Sequence, residues 1–225
     1  MIDVRGISKS FMINGKSLPI LELAEWHVEK GERLALIGPS GSGKSTLLHL
    51  LSGVMTPDRG EIWVDGQPLH QYSESKRDRF RAEKVGYIFQ DFHLISSLTV
   101  KQNVELVVPS GWSSKQSKEE LDHWFERVGL QDRQHHLPSQ LSRGQQQRAA
   151  IVRALVAKPP LILADEPTGS LDWETAGDIM SLLLALCESE NLTLLTVTHD
   201  LHLADRFPKR VQVQDLNEIH RREAV

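Results

Sequence analysis

An eight-residue loop at positions 38–45, GPSGSGKS, constrains the fold of this 225-residue chain more than any other segment. Its pattern is G-x-x-x-x-G-K-S, in which the glycines let backbone N–H groups close around phosphate oxygens. Lys44 is then placed to reach the β- and γ-phosphates of a nucleotide, and the Ser45 hydroxyl is placed to bind Mg²⁺. A helix that begins near Lys44 would point its positive end at the same phosphates. The pattern therefore predicts a phosphate-binding loop.

The segments on either side favour this interpretation over a chance flexible stretch of glycine and serine. The residues before the loop, ERLALI at 32–37, are a compact apolar run that predicts a buried strand. The residues after it, STLLHLL at 45–51, predict an apolar helix. A strand, a phosphate-binding loop and a helix in this order are the expected context for the motif.

A second candidate site lies at 161–167, LILADEP, where an apolar strand ends in the carboxylates Asp165 and Glu166. Ligands usually bind at the carboxyl ends of strands in an α/β sheet. There Asp165 is suited to hold Mg²⁺ through its water shell, and Glu166 is suited to polarise an attacking water as a general base. Taken alone, a solvated acidic turn is an equally good reading. The phosphate-binding loop tips the balance toward catalysis.

The order of predicted elements indicates an α/β core with a helical insertion. Strands alternate with helices at both ends of the chain, including LTLLTVT at 192–198 and a last strand, KRVQVQDL, at 209–216. From residue 98 to residue 158 the signals are helical, with little strand. We therefore predict a nucleotide-binding core at 1–90 and 159–225 and a helical subdomain at 91–158.

Three helices are predicted within the insertion. Thr99 is placed to cap a helix over TVKQNVELVV at 99–108. A third helix begins at Ser142 and ends before KPP at 158–160, since proline stops helices. Between them lies an amphipathic helix whose buried face, at i, i+3, i+4 and i+7, is predicted to consist of Leu121, Trp124, Phe125 and Val128.

A third motif, LSRGQ at 141–145, narrows the class of nucleotide-binding protein. Ser142 and Gln145 have the S-x-x-Q spacing of a capping box at a helix start. Such a start leaves free N–H groups and a positive helix end, which suit an anion. The motif resembles the LSGGQ signature of ATP-binding cassettes, with Arg143 in place of the usual glycine.

The resemblance covers nearly the whole chain in the family's order. Phe11 falls where the family places an aromatic ring against adenine, and Gln90 matches the glutamine of the Q-loop. Ser170-Leu171-Asp172 matches the D-loop, and His199 matches the switch histidine. Alone, these residues would be a core aromatic, a strand-end polar residue, a helix N-cap and a hydrogen-bonded histidine, respectively. Their spacing relative to the phosphate-binding loop favours the functional interpretation.

The resemblance implies a P-loop nucleotide triphosphatase core of the RecA-like type, an antiparallel β subdomain and an inserted α-helical subdomain. It also implies an ATP hydrolase that uses Mg²⁺, with two copies sandwiching two ATP molecules head to tail. The implied catalytic residues are Glu166, His199 and Gln90, and the implied Mg²⁺ ligands are Ser45, Gln90 and Asp165. The implied nucleotide-binding residues are Phe11, Gly38, Pro39, Ser40, Gly41, Ser42, Gly43, Lys44, Ser45, Thr46, Ser142, Gly144, Gln145 and Asp172.

Arg143 admits two interpretations. A cation in the first turn of an exposed helix is unfavourable by roughly 0.3–1 kcal/mol. In the closed sandwich this helix end faces the triphosphate held by the other copy, so the arginine would add attraction when ATP is bound. Alternatively, the long side chain extends into solvent and contributes nothing.

The segment QDFHLISSLTVKQNV at 90–104 resembles the bacterial lipoprotein-release, macrolide-export and cell-division ATPases. This resemblance implies an integral membrane permease as partner and a place on the cytoplasmic face of the membrane. Two functions stay open: the chain drives transport, or it transmits force to a membrane partner without moving a substrate. Phe92, Leu94 and Ile95 are candidates for the docking surface, and the alternative is that they pack within the helical subdomain.

The composition argues against several other functions. The net charge is −4, so a nucleic acid is not an expected partner. No apolar run approaches the roughly 18–20 residues of a membrane helix, and the N-terminal segment lacks the apolar region of a signal peptide. The single cysteine, Cys187, is expected in the core. His123, His135 and His136 lack metal-ligand spacing and are expected on the surface.

Overall fold

The computed structural model describes residues 1–219. Within this range the chain forms nine strands, in chain order β1 (Ile2–Ile13), β2 (Lys16–Val28), β3 (Arg33–Ile37), β4 (Arg59–Val64), β5 (Gln67–Pro68), β6 (Val85–Ile88), β7 (Leu161–Asp165), β8 (Thr193–Thr198) and β9 (Lys209–Gln212). It also forms eight α-helices, α1 (Lys44–Leu51), α2 (Glu74–Lys84), α3 (Val100–Glu105), α4 (Ser114–Arg127), α5 (Arg143–Leu155), α6 (Trp173–Ser189), α7 (Leu201–Ala204) and α8 (Val213–Leu216). The predicted α/β fold is confirmed.

A five-stranded parallel sheet, ordered β6-β7-β8-β3-β9, forms the centre of the fold. Strands β3, β7 and β8 are buried along almost their whole length, as expected for parallel strands covered on both faces. Because the strands run in the same direction, their carboxyl ends share one edge of the sheet. The phosphate-binding loop, Gln90, Asp165 and His199 lie at this edge, after β3, after β6, at the end of β7 and after β8.

A four-stranded antiparallel sheet, ordered β2-β1-β4-β5, covers one side of the core. Strands β1 and β2 form a hairpin around Asn14 and Gly15, whose φ angles of 51° and 75° suit a tight hairpin turn. Ile2 and Val4 on β1 are fully buried and belong to the same hydrophobic cluster as Leu47 on α1. The β-sheet layer is therefore packed against the helix that follows the phosphate-binding loop.

The insertion between β6 and β7 is helical, as the sequence predicts. Leu121, Trp124, Phe125 and Val128 are all buried. Thr99, Ser113 and Ser142 each accept a hydrogen bond at the start of α3, α4 and α5, respectively. The insertion shares one hydrophobic cluster with the parallel sheet, so the boundaries at residues 91 and 158 stay a prediction about domain organisation.

Two predicted elements are wrong at their ends. The last strand stops at Gln212, and Val213–Leu216 forms a helical turn instead of continuing the strand. This turn buries Val213 beside Gly38 and brings the buried Asn217 under the phosphate-binding loop. The helix predicted over 99–108 stops at Glu105, and Leu106 and Val107 are exposed after it.

The residues singled out from composition lie where the sequence predicts. Cys187 is fully buried in α6, and burial raises the pKa of its thiol to about 12. The side chains of His123 and His135 are exposed, and His136 is half-buried beside Arg133. No helix within residues 1–219 is long and apolar enough to cross a membrane.

Candidate active site

The phosphate-binding loop joins β3 to α1 in the conformation that the motif requires. Gly43 is the N-cap of α1 and has a φ of 94°, a backbone conformation that a residue with a side chain rarely adopts. The Ser42 hydroxyl donates to the Pro39 carbonyl at 2.8 Å and closes the loop on itself. Since the N-cap uses no side chain, the first N–H groups of α1 remain available to a ligand.

Lys44 is buried and its ammonium group is held by the loop itself. Its Nζ donates to the Gly38 and Pro39 carbonyls, both at 2.8 Å. Burial lowers the pKa of Lys44, while the nearby Glu166 and Asp165 carboxylates act in the opposite direction. The cation is therefore pre-placed within the loop and can exchange two carbonyl partners for phosphate oxygens.

Asn217 supports the loop from below, and sequence reasoning missed it. The side chain is fully buried. Its Nδ2 donates to the Ile20 carbonyl at 2.9 Å and to the Ser42 carbonyl at 3.5 Å, and its Oδ1 accepts from the Glu22 amide at 3.0 Å. An asparagine after a misassigned strand carries no sequence signal of this role, because its partners lie about two hundred positions away in the chain.

Ser45 and Asp165 come together across the sheet edge. The Ser45 hydroxyl donates to Asp165 Oδ1 at 3.4 Å. Burial raises the pKa of Asp165, the Ser45 hydrogen bond lowers it, and the neighbouring Glu166 raises it further. A hydroxyl and a carboxylate are hard oxygen donors of the kind that Mg²⁺ prefers. The pair would suit a bound magnesium ion.

Glu166 and His199 form a second pair at the same edge. His199 Nδ1 lies 3.0 Å from Glu166 Oε1, so the ring can orient the carboxylate. Glu166 has a φ of 44°, which is uncommon for a residue with a side chain. Its amide donates to the Val197 carbonyl at 3.0 Å, which ties this strained turn to β8. Such strain is typical of functional positions.

The Q-loop and D-loop residues meet the loop that carries Glu166. A side-chain carbon placed at Gly169 would stand 3.2 Å from the Gln90 Nε2, so Gln90 lies directly against this loop. Asp172 is the N-cap of α6 and accepts from the Thr175 amide at 3.0 Å. This hydrogen bond lowers the pKa of Asp172. Asp172 is thus a helix N-cap, which is its structural interpretation, and its D-loop role stays a prediction.

Phe11 shares a cleft of about 300 Å³ with the phosphate-binding loop. The ring is half-buried on β1, and Lys9 Nζ lies 5.9 Å from its centre. The cleft is lined by Phe11, Ile20, Ser40, Gly41, Gly43, Lys44, Ser45, Thr46 and Glu166. An aromatic face at one end and the phosphate-binding loop at the other suit a nucleotide with its base against Phe11.

The signature residues lie apart from this cleft. Ser142 is the N-cap of α5 and forms a reciprocal capping box with Gln145, as the spacing predicts. A side-chain carbon at Gly144 would stand 2.8 Å from the Thr175 methyl group, so a larger residue would require the Thr175 side chain to shift. Within the described chain, no residue of α5 lines the Phe11 cleft. One chain therefore does not bring its own signature to its own nucleotide cleft.

Arg143 makes a contact within its own chain that neither interpretation drawn from the sequence included. Its guanidinium lies 5.8 Å from the centre of the Phe92 ring, a cation–π arrangement. The Phe92 carbonyl accepts from Arg153 at 2.8 Å, and the His93 carbonyl also accepts from Arg153. The segment after Gln90 is thus tied to α5 at two points. In the single chain, Arg143 is exposed and lies against the Phe92 ring, and its role in the closed sandwich stays a prediction.

A groove of about 370 Å³ opens beside the segment after Gln90. Phe89, just before Gln90, and His93, just after it, line the groove on one side. Leu106 and Val107 line it from the end of α3, and Arg153 lines it from α5. Leu106 is 59% exposed. Leu94 does not line the groove. It packs against the main hydrophobic cluster, so of the two options drawn from the sequence, docking or packing, Leu94 follows packing. Phe92 is half-buried, and Ile95 is exposed.

The parallel sheet, the phosphate-binding loop and the two carboxylates at its edge define a P-loop nucleotide triphosphatase. A family model described as ABC transporter matches residues 21–169. The chain belongs to this family and is an ATP-binding, ATP-hydrolysing cassette.

Individual relatives agree with the family assignment. The chain is 40% identical over 220 residues to the ABC transporter ATP-binding protein YtrE of Bacillus subtilis, with 96% of this chain and 95% of YtrE covered. It is 42% identical over 212 residues to the lipoprotein-releasing system ATP-binding protein LolD 2 of Rhodopirellula baltica, with 91% and 83% covered. A dimeric post-hydrolysis structure of the cassette MJ0796, bound to ADP and Pi, superposes with a TM-score of 0.85 at 33% identity, with 97% and 95% covered.

Proposed function

We propose that this chain hydrolyses Mg-ATP as a homodimer and thereby drives a membrane permease of the lipoprotein-release or export type. The observation that carries the proposal is the separation of the signature helix from the nucleotide cleft within one chain. A second copy is then needed to complete each site. Relatives named as lipoprotein-releasing ATP-binding proteins and the dimeric MJ0796 cassette support the assignment.

Ser45, Asp165 and Gln90 are the residues that would hold the magnesium ion. Bound there, the ion supplies charge neutralisation for the β- and γ-phosphates. Asp165 is fixed by its Ser45 hydrogen bond, and Gln90 lies against the neighbouring loop at Gly169. Lys44 binds the same phosphates once it leaves the Gly38 and Pro39 carbonyls.

Glu166 is placed to act as the general base. Its carboxylate lines the nucleotide cleft, where it can accept the proton of a water that attacks the γ-phosphorus while the bond to the β-phosphate oxygen breaks. His199 holds Glu166 Oε1 at 3.0 Å and so fixes the direction of the carboxylate. His199 is 66% exposed, which leaves room for it to contact a phosphate as well.

The second copy would present Ser142, Gly144 and Gln145 to the γ-phosphate. Within the capping box, the Gln145 amide donates to the Ser142 hydroxyl, so that N–H group is already used. The remaining N–H groups of the first turn have no acceptor within the helix and point out of its N-terminal end. A positive helix end at this place favours an anion. ATP would then hold two copies together, and its hydrolysis would release them.

The groove beside Phe89 and Leu106 is the place where a helix of the permease would dock. It lies next to the segment that carries Gln90, so a movement at the docked helix reaches the nucleotide site through a few residues. The surface differs from the candidates drawn from the sequence, since Leu94 packs inside. Exposed apolar side chains at Leu106 and Val107 suit an apolar helix face.

The Glu166→Gln variant tests the catalytic part of the proposal. The amide keeps the shape of the carboxylate but does not accept the water proton, so the variant should bind ATP, hydrolyse it at least about a hundredfold more slowly and accumulate as a dimer. Sedimentation with and without Mg-ATP measures the dimer, and phosphate release measures the rate. Glu119→Gln, at an exposed position on α4, is the matched control and should behave as the parent. Normal hydrolysis by Glu166→Gln, together with a monomer in both conditions, contradicts the proposal.

A further inference from the structure

Two large apolar side chains are exposed at the carboxyl edge of the parallel sheet. Trp173 is 73% exposed and Leu201 is 58% exposed. Each is the first residue of a helix capped by the preceding aspartate, Asp172 for α6 and Asp200 for α7. Both side chains therefore project from hydrogen-bonded helix starts, and their exposure is built into the fold.

Trp173 lies beside the catalytic pair. It lines a cleft of about 250 Å³ whose walls include Glu166, Leu171 and His199. Asp200, the residue before Leu201, lines the same cleft. A surface that covers Trp173 also closes this cleft over Glu166, and exclusion of bulk water strengthens electrostatic interactions within a catalytic site.

The surface around Trp173 is continuous with the signature motif. Thr175, in the same first turn of α6, is in contact range of Gly144 at the start of α5. This turn therefore touches the signature on one side and carries Trp173 beside Glu166 on the other. A second copy that meets the signature helix end must approach the surface on which Trp173 stands.

We propose that Trp173, with Leu201 on the neighbouring helix start, anchors a second copy of this chain in the ATP-bound dimer. This inference rests on the proposed dimerisation. Trp173 and Leu201 are the apolar residues that would set the affinity of the dimer. Tryptophan is enriched among the few residues that dominate binding energy at protein interfaces. In a two-fold symmetric dimer each copy contributes the same patch, so one substitution removes two anchors.

The test compares dimer affinity in the Glu166→Gln background, in which ATP is not consumed. Sedimentation in Mg-ATP should give a dimer dissociation constant at least about tenfold larger after Trp173→Ala, and Trp173→Phe should retain most of the affinity. Nucleotide binding to the diluted monomer should be unchanged, since Trp173 does not line the Phe11 cleft. The matched control is Leu106→Ala, which replaces an exposed leucine that lines the groove at the end of α3. It should leave the dimer affinity unchanged.

Tryptophan fluorescence gives a second readout. Trp26 and Trp124 are buried, Trp63 and Trp112 are half-buried, and Trp173 is the most exposed of the five tryptophans. Covering Trp173 should therefore shift the emission to shorter wavelength on addition of Mg-ATP. Trp173→Phe should remove most of this shift. If the Glu166→Gln protein dimerises in Mg-ATP and the added Trp173→Ala substitution does not weaken the dimer, the anchor is overturned and the proposed function stands. If the Glu166→Gln protein stays monomeric in Mg-ATP, both the anchor and the proposed dimeric function are overturned.

Discussion

The Asp165 carboxylate, which we propose as a magnesium ligand, lowers the free energy of unfolding of the nucleotide-free protein at neutral pH. Burial raises the pKa of this carboxyl above its ordinary value of 3.8. The folded state therefore binds the proton more tightly than the unfolded state. This contribution to the free energy of unfolding is present below pH 3.8 and is lost as the pH rises through the raised pKa. At neutral pH the nucleotide-free protein carries an unfavourable charge at this half-buried position.

Asp165→Asn should therefore raise the melting temperature of the nucleotide-free protein at neutral pH and abolish Mg-dependent hydrolysis. The gain should shrink as the pH falls through the raised pKa, because the wild-type carboxyl then becomes neutral as well. Melting curves over a pH series and a phosphate-release assay measure the two effects. Asp122→Asn, at an exposed position on α4, should change neither. A lower melting temperature for Asp165→Asn at neutral pH would refute this account of the carboxyl.

At the scale of elements, α5 and the segment after Gln90 are joined by the contact between Arg143 and Phe92. A cation–π pair at an exposed site contributes about 0.5–1 kcal/mol, which offsets the similar cost of a cation in the first helical turn. A double-mutant cycle with Arg143→Gln and Phe92→Leu should give a coupling free energy of this size in chemical unfolding. Additive effects of the two substitutions would remove the contact from the account.

The electrostatic hypothesis for Arg143 in the dimer remains a separate prediction. In the Glu166→Gln background, Arg143 should favour ATP-induced dimerisation over Arg143→Gly at low salt and lose that advantage as salt rises, with a Debye length of about 10 Å at 0.1 M. Parallel salt curves for the two forms would show that the guanidinium stays with Phe92 and adds nothing across the interface.

Elements defined by short-range patterns were predictable from the sequence, and contacts between distant segments were not. Periodicity and caps gave the buried face of α4 and the start of α5, and strand ends placed Asp165, Glu166 and His199 at one edge. The helical turn at Val213–Leu216 depends on burial against Gly38, so the local β-rich pattern alone was misleading. The tight approach of Gly144 to Thr175 likewise requires knowledge of how α5 meets α6.

At the scale of the whole molecule, substitutions at Leu94 and Leu106 distinguish a residue that packs inside the protein from one that contacts the membrane partner. Leu106→Glu should weaken association with the co-expressed membrane partner and spare the basal ATPase, because Leu106 is exposed in the groove. Leu94→Glu should lower the melting temperature instead, because it places a charge against the hydrophobic cluster. Co-purification, basal ATPase and melting curves compare the two variants. Undiminished partner binding by a folded Leu106→Glu protein would exclude the groove as the docking site.

The central claim is that each nucleotide site combines the phosphate-binding loop of one copy with the signature of another. Mixing two inactive variants, Lys44→Ala and Ser142→Arg, tests it most directly. In a mixed dimer, the intact loop of the Ser142→Arg copy meets the intact signature of the Lys44→Ala copy, so one complete site is restored. The account predicts that phosphate release by the mixture rises well above that of either variant alone. A mixture no more active than its components, under conditions in which mixed dimers form, would contradict it.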